Sequence, residues 1–164
     1  MKTSRSLFSV NEVLKLYSSG PVTGIFTDGS CVGNPGPGGW GTVFVQDDKI
    51  IDQKFGHADD TTNNQMELTA LLAALELTQE DSKISIYTDS QLLVNIFNKW
   101  ASNWEAMGWK RKSGPIKNLE LIKKIYILLQ VRNGITILWI PAHSGYKWNE
   151  YADSLSTAYL RDVL

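Results

Sequence analysis

Four acidic residues far apart in the chain, Asp28, Glu67, Asp89 and Asp153, each stand beside a signal that could bring them to one place. Thr23-Gly24-Ile25-Phe26-Thr27 reads as a short strand leading to Asp28, and Lys83 to Thr88 alternates as another leading to Asp89. The two strands end in similar words, Phe26-Thr27-Asp28-Gly29-Ser30 and Tyr87-Thr88-Asp89-Ser90. On neighbouring parallel strands these carboxylates would meet at one sheet edge, where open α/β sheets bind ligands. Three of these acids also have a plainer reading. Asp89 could cap the helix that follows it, and Asn64 with Glu67 has capping-box spacing. Asp153, beside Ala152, Leu155 and Tyr159 in the last helix, could be an ordinary exposed acid.

The segment after Asp28 holds six glycines and two prolines up to Gly41. That density predicts turns and close backbone approach rather than a regular element, a geometry useful to a metal or a polyanion. A tight hairpin alone would use the same residues. Gly36 to Gly41 fits G-x-G-x-x-G, but it leads into a strand and no G-K-[ST] follows, so neither nucleotide-binding motif has its context.

The elements that must position these groups follow in order. Ser9 and Glu12 fit a capping box with Phe8 and Val13 as its staple, predicting a helix near 10–19 whose first role is to dock on the main domain, with a loose or partner-binding extension as the alternative. Lys2 and Arg5 are too few, and Glu12 too acidic, to favour an organelle transit peptide. Strands are expected near 23–28, 41–46 and 50–57, the last two joined at Asp47-Asp48-Lys49. Thr61 to Asn64 caps a Leu- and Ala-rich helix from Gln65 to about 79. Helices are also expected near 90–98, 116–130 and 149–160, with a fifth strand over 135–140. This order predicts an α/β fold, a five-stranded mixed sheet flanked by helices.

The 164 residues, 43% hydrophobic, suit one globular domain, divided here into an extension over 1–22 and a main domain over 23–164. One cysteine excludes an internal disulfide framework and agrees with a cytoplasmic protein. No apolar run approaches a membrane span. Net charge is -1, yet residues 99–124 carry seven basic side chains against two acidic, a local face that a phosphate backbone would feel.

The chain from about residue 24 to 160 resembles ribonuclease H of type 1, which cuts the RNA strand of RNA–DNA hybrids. The resemblance is carried by Phe26 to Cys31 with Gly33 to Gly39, by Thr61 to Leu68, by Thr88 to Gln91, and by His143-Ser144-Gly145 followed by Asn149-Glu150 and Asp153. It implies a ribonuclease H-like fold with Asp28, Glu67, Asp89 and Asp153 as catalytic, metal-binding carboxylates. Like charges about 4 Å apart repel by roughly 4 kcal/mol at an effective dielectric near 20, so such a cluster needs cations. An all-oxygen set suits two Mg²⁺, with Mn²⁺ as substitute, rather than Zn²⁺. The expected reaction is two-metal hydrolysis leaving 5′-phosphate and 3′-hydroxyl ends. His143 is implied to assist proton transfer or product release.

The same resemblance implies hybrid contacts from Asn34, Asn63 and Gln91 near the sugars, and from the backbone of Gly29 and Cys31. Thr62 with Asn63 matches a pocket for a DNA-strand phosphate. Trp100, Trp104 and Trp109 with Lys110 match an aromatic and basic handle that grips the DNA strand. Trp109 could equally be core. Departures occur at Glu105-Ala106-Met107, where better-known relatives are strongly basic, at Ala142, and at Tyr146-Lys147-Trp148. The expectation is thus a monomeric endonuclease on an RNA–DNA hybrid duplex with no membrane and no obligate protein partner. A catalytically silent hybrid-binding module is the alternative.

Overall fold

Residues 8–164 are described by a computed structural model; Lys2 and Arg5, and with them the question of a leader, lie outside the described residues. Five strands form one sheet in the order β3-β2-β1-β4-β5. β1 (Gly24–Cys31), β2 (Gly36–Gln46) and β3 (Lys49–Thr61) form an antiparallel meander, and β4 (Ile84–Thr88) and β5 (Ile135–Trp139) add in parallel beside β1. Asp47 and Asp48 turn the β2–β3 hairpin with φ of 50° and 68°, the backbone that a two-residue loop with the right twist requires.

The glycine-dense segment is mostly strand, contrary to the turns expected of it. Only residues 32–35 turn, and both flanks pair with each other from Asp28 opposite Gly41 to Cys31 opposite Gly38. These glycines remove side chains where helices press onto the sheet. A Cβ at Gly41 would overlap the Leu155 side chain and lie 2.9 Å from the Ala152 carbonyl oxygen. One at Gly39 would overlap the Ser156 carbonyl oxygen.

The helices are α1 (Val10–Leu16), α2 (Asn63–Glu76), α3 (Gln91–Asn95), α4 (Ala101–Ala106), α5 (Leu119–Val131) and α6 (Lys147–Ser156). A π turn over Ile96–Trp100 joins α3 to α4, so the stretch expected to leave the helix after residue 98 stays helical to Ala106. α1 is shorter than expected. Its capping box forms as read, with Ser9 Oγ accepting from the Glu12 amide and Glu12 Oε1 from the Ser9 amide.

Alternation along the strands gives the sheet two apolar faces. On one, Ile25, Ile86 and Ile137 pack with Leu68, Leu71, Leu93, Ile122 and Ile125 of α2, α3 and α5. On the other, Phe26, Val43 and Val45 pack with Trp148, Tyr151 and Leu155 of α6 and with Val10 and Val13 of α1. The result is helix–sheet–helix layering, and α1 belongs to one of the layers. Among the described residues no helix is long and apolar enough to cross a membrane.

Candidate active site

β1 and β4 pair only at Ile25 with Ile86 and Phe26 with Tyr87. Thr27 Oγ1 then donates to the Tyr87 carbonyl at 3.0 Å. Beyond that point β1 continues along β2 while β4 stops at Thr88, so the sheet forks. Asp28 lies inside β1, not at its end, because the pairing with β2 carries the strand three residues further. Asp89 stands on the other prong. The cap of α3 is Ser90, whose Oγ accepts from the Leu93 amide at 3.2 Å. The carboxylate of Asp89 therefore does not serve as that cap.

Glu67 reaches the fork from α2, whose cap is Thr62: its Oγ1 accepts from the Gln65 amide at 3.2 Å. Glu67 is two residues too late for a capping box with that residue, whose third helical position is Gln65. Gly29 lets α2 approach: a Cβ there would lie 2.5 Å from the Met66 carbonyl carbon and 2.9 Å from Glu67 Cα. Asp28, Glu67 and Asp89 each bring a carboxylate oxygen within 4.8 Å of the others. Asp28 is wholly buried and Glu67 only 7% exposed. Three oxygen donors at that spacing, with no sulfur, suit a hard divalent cation.

Asp153 is not an ordinary exposed acid; it is 2% exposed. Its carboxylate groups with His143 and Glu150, again with ligand atoms within 4.8 Å of one another. His143 Nδ1 lies 3.9 Å from Glu150 Oε1, and the Gly145 amide donates to Glu150 Oε2 at 3.3 Å. Burial lowers the pKa of the nearby Arg161, while the charges of Asp153 and Glu12 oppose that shift. Arg161 also donates to the Ser154 carbonyl at 2.9 Å, tying the end of the chain to α6. Glu150, named above only among the residues that carry the resemblance, joins the site from the first turn of α6, just beyond the His143 loop.

An open cleft of about 270 Å³ is lined by Gly29, Asn63, Asn64, Glu67, Asp89, Ser90, Ala142 and His143. It thus unites the α2 and β4 acids with the histidine loop. A second hollow of about 140 Å³ runs among Leu92, Ile96, Trp100, Trp104, Arg111 and Lys117. Asn64 lines both, so the acids and the tryptophans share one continuous side of the molecule. Asn64 and Arg111 are additions to the expected set.

The remaining expected contacts fall unevenly. Asn34 Oδ1 accepts from the Asn63 amide at 2.9 Å, fastening the β1–β2 turn to the start of α2. Gln91 is exposed at the first position of α3, and Lys110 is exposed beyond α4. Cys31 is buried, its thiol turned to the carbonyls of Gly36 and Thr61, leaving only its backbone for any ligand. Trp109 packs edge-on against Tyr126 with ring centres 5.5 Å apart, and it joins the core rather than the hollow.

The family model described as RNase H matches residues 21–161. The chain is 44% identical over 135 residues to the ribonuclease H of Ruthia magnifica, covering 80% of this chain and 90% of that protein. It is 39% identical over 144 residues to the ribonuclease HI of Caulobacter vibrioides, covering 87% and 95%. The crystal structure of LC11-RNase H1 in complex with an RNA/DNA hybrid is similar in fold, with a TM-score of 0.62 and 26% identity, covering 81% of this chain and 92% of that one. The chain belongs to the ribonuclease H family, the metal-dependent endoribonucleases that degrade the RNA strand of RNA–DNA hybrids.

Proposed function

We propose that the chain cuts within the RNA strand of a hybrid duplex with two Mg²⁺ ions held by Asp28, Glu67, Asp89 and Asp153, leaving 5′-phosphate and 3′-hydroxyl ends. The convergence of Asp28, Glu67 and Asp89 in the fork between β1 and β4 carries this reading. A bound pair of such ions would polarise the attacking water and offset charge on the leaving oxygen.

The protein's own share is positioning. Two buried acids, on a strand and a helix, and a half-buried one at a strand end form a rigid frame for cations and scissile phosphate. His143, 27% exposed on the rim of the cleft, can exchange a proton with solvent and with the departing product. Asn63 and the backbone of Gly29 face the cleft, where amide donors and acceptors can sense a 2′-hydroxyl. Asn34, Thr62, Gln91 and the backbone of Cys31 would support that reading. Trp100, Trp104 and Lys110 would grip the DNA strand by stacking and charge. We take the enzyme to act as a monomer in the cytoplasm, where its one buried thiol would stay reduced.

A labelled hybrid incubated with and without Mg²⁺, beside single-stranded RNA and duplex DNA, tests the proposal. Internal cuts in the RNA of the hybrid alone, only with the cation, are expected. Tight hybrid binding without cleavage would instead make the chain a binding module.

A further inference from the structure

The loop carrying His143 is anchored at both ends, and the far anchor comes from the other end of the chain. At its start the Ile140 amide donates to the Thr88 carbonyl at 2.9 Å, next to Asp89. At its finish Ser19 pairs in parallel with Tyr146. The Lys147 amide donates to the Ser19 carbonyl at 2.9 Å, and Ser19 Oγ donates to the Gly145 carbonyl at 2.9 Å. Gly20 lies against the Tyr146 side chain, where a Cβ would come within 2.8 Å of Tyr146 Cβ.

Between these anchors His143 has φ 52° and Gly145 φ 87°. A non-glycine residue keeps such a backbone only where its surroundings over-determine it. The segment supplying the far anchor is itself well held. Val10 and Val13 are buried with Trp148 and Tyr151. The Val10 amide donates to the Leu164 carbonyl at 2.9 Å, and Ser154 Oγ donates to the Phe8 carbonyl at 2.6 Å. Docking of α1 is therefore passed through a few residues to the loop that presents the imidazole.

We propose that residues 8–20 form a clasp that positions His143 for the reaction, with Ser19 as the positioning residue. The proposal rests on His143 belonging to the active site, as read above. Ser19 is exposed, so removing its hydroxyl leaves the core untouched.

The test is a double-mutant cycle on hybrid cleavage using the full chain: wild type, Ser19→Ala, His143→Ala and the pair, with Ser19→Thr as the conservative control. Ser19→Ala is expected to lower kcat about five-fold, the factor that one net hydrogen bond supplies. KM should not change, and Ser19→Thr should restore kcat. In the His143→Ala background the same change should have no further effect. An equal fall in both backgrounds would reduce Ser19 to a structural role and overturn the clasp. So would an unchanged kcat in Ser19→Ala while His143→Ala is impaired, or a Ser19→Thr variant as slow as Ser19→Ala. Full activity in His143→Ala would remove the histidine from the site, and the clasp with it, a pattern distinct from the others.

Discussion

The α-carbon of Gly29 lies against α2 at Met66 and Glu67, so close that a methyl group there would overlap the Glu67 amide nitrogen. Gly29 follows Asp28 in β1, and the same contact therefore holds two of the clustered acids in register. The atoms in the way are helix backbone, which cannot swing aside as a side chain can. Gly29→Ala is expected to cost about 1–3 kcal/mol or more of stability. Cleavage should fall far more than that loss explains, because α2 must lift Glu67 away. Urea denaturation beside hybrid cleavage checks both, and an active, fully stable variant would refute the packing argument.

Asp28→Asn separates fold from chemistry. At 4.8 Å, two ionised carboxylates repel by about 3 kcal/mol at an effective dielectric near 20. The variant should therefore be more stable than wild type in EDTA while its cleavage is nearly abolished. Mg²⁺ at 100 times its Kd would stabilise the wild type by about 2.7 kcal/mol, and most of that gain should be missing from the variant. Melting curves with and without Mg²⁺ decide the matter.

Asp48 gives a pH dependence. It accepts from Lys147 Nζ and from the buried indole Nε1 of Trp148, both at 2.8 Å. The hydrogen bond from Lys147, with that from Trp148 second, holds its carboxyl below the usual range. A depressed carboxylate stabilises the fold above its unfolded pKa near 3.9 and loses that contribution as pH falls through the lowered value. The Asp48 side chain is 44% exposed, so the ion pair contributes only about 1 kcal/mol or less. Urea midpoints of Asp48→Asn should lie below wild type from about pH 5 to 8 and converge with it in stronger acid. A gap that persists there would exclude the linkage.

Glu105 belongs to two accounts. It is an acid within residues 99–124, where seven basic side chains face two acidic, and this predicts weaker, less salt-sensitive hybrid binding than a lysine there would give. In the structure its Oε1 also accepts from Tyr126 Oη at 3.3 Å, tying α4 to α5. Glu105→Lys should therefore tighten binding and steepen the salt dependence by about one unit of slope. It should also cost about 0.5–1.5 kcal/mol of stability through the lost hydrogen bond. Glu105→Gln, which keeps an acceptor for Tyr126, should gain some affinity at little cost. Unchanged binding in both would show that the handle does not meet the hybrid.

Much of this molecule was legible along the chain because its signals are local. Ser9 and Glu12 cap α1, Asp47 and Asp48 turn a hairpin, and apolar alternation marks β4 and β5, all decided within a few residues. The glycine segment misled because local composition speaks of conformational freedom, whereas Gly29, Gly39 and Gly41 serve contacts with α2 and α6. A strand whose neighbour in space is a helix 37 or more residues later does not announce it by periodicity.

By itself the sequence determined most of the elements and their order, and it singled out the four acids and the histidine through the resemblance that unites them. The tertiary structure alone decided that Ser90 and Thr62 do the capping, and that the sheet forks beside Asp28. It likewise decided that Asp153 keeps company with His143 and Glu150, and that Ser19 closes on Tyr146. The division has one physical cause. Backbone propensity and capping act over a turn or two, but which carboxylate faces which depends on how two apolar faces of one sheet bring distant helices down on it.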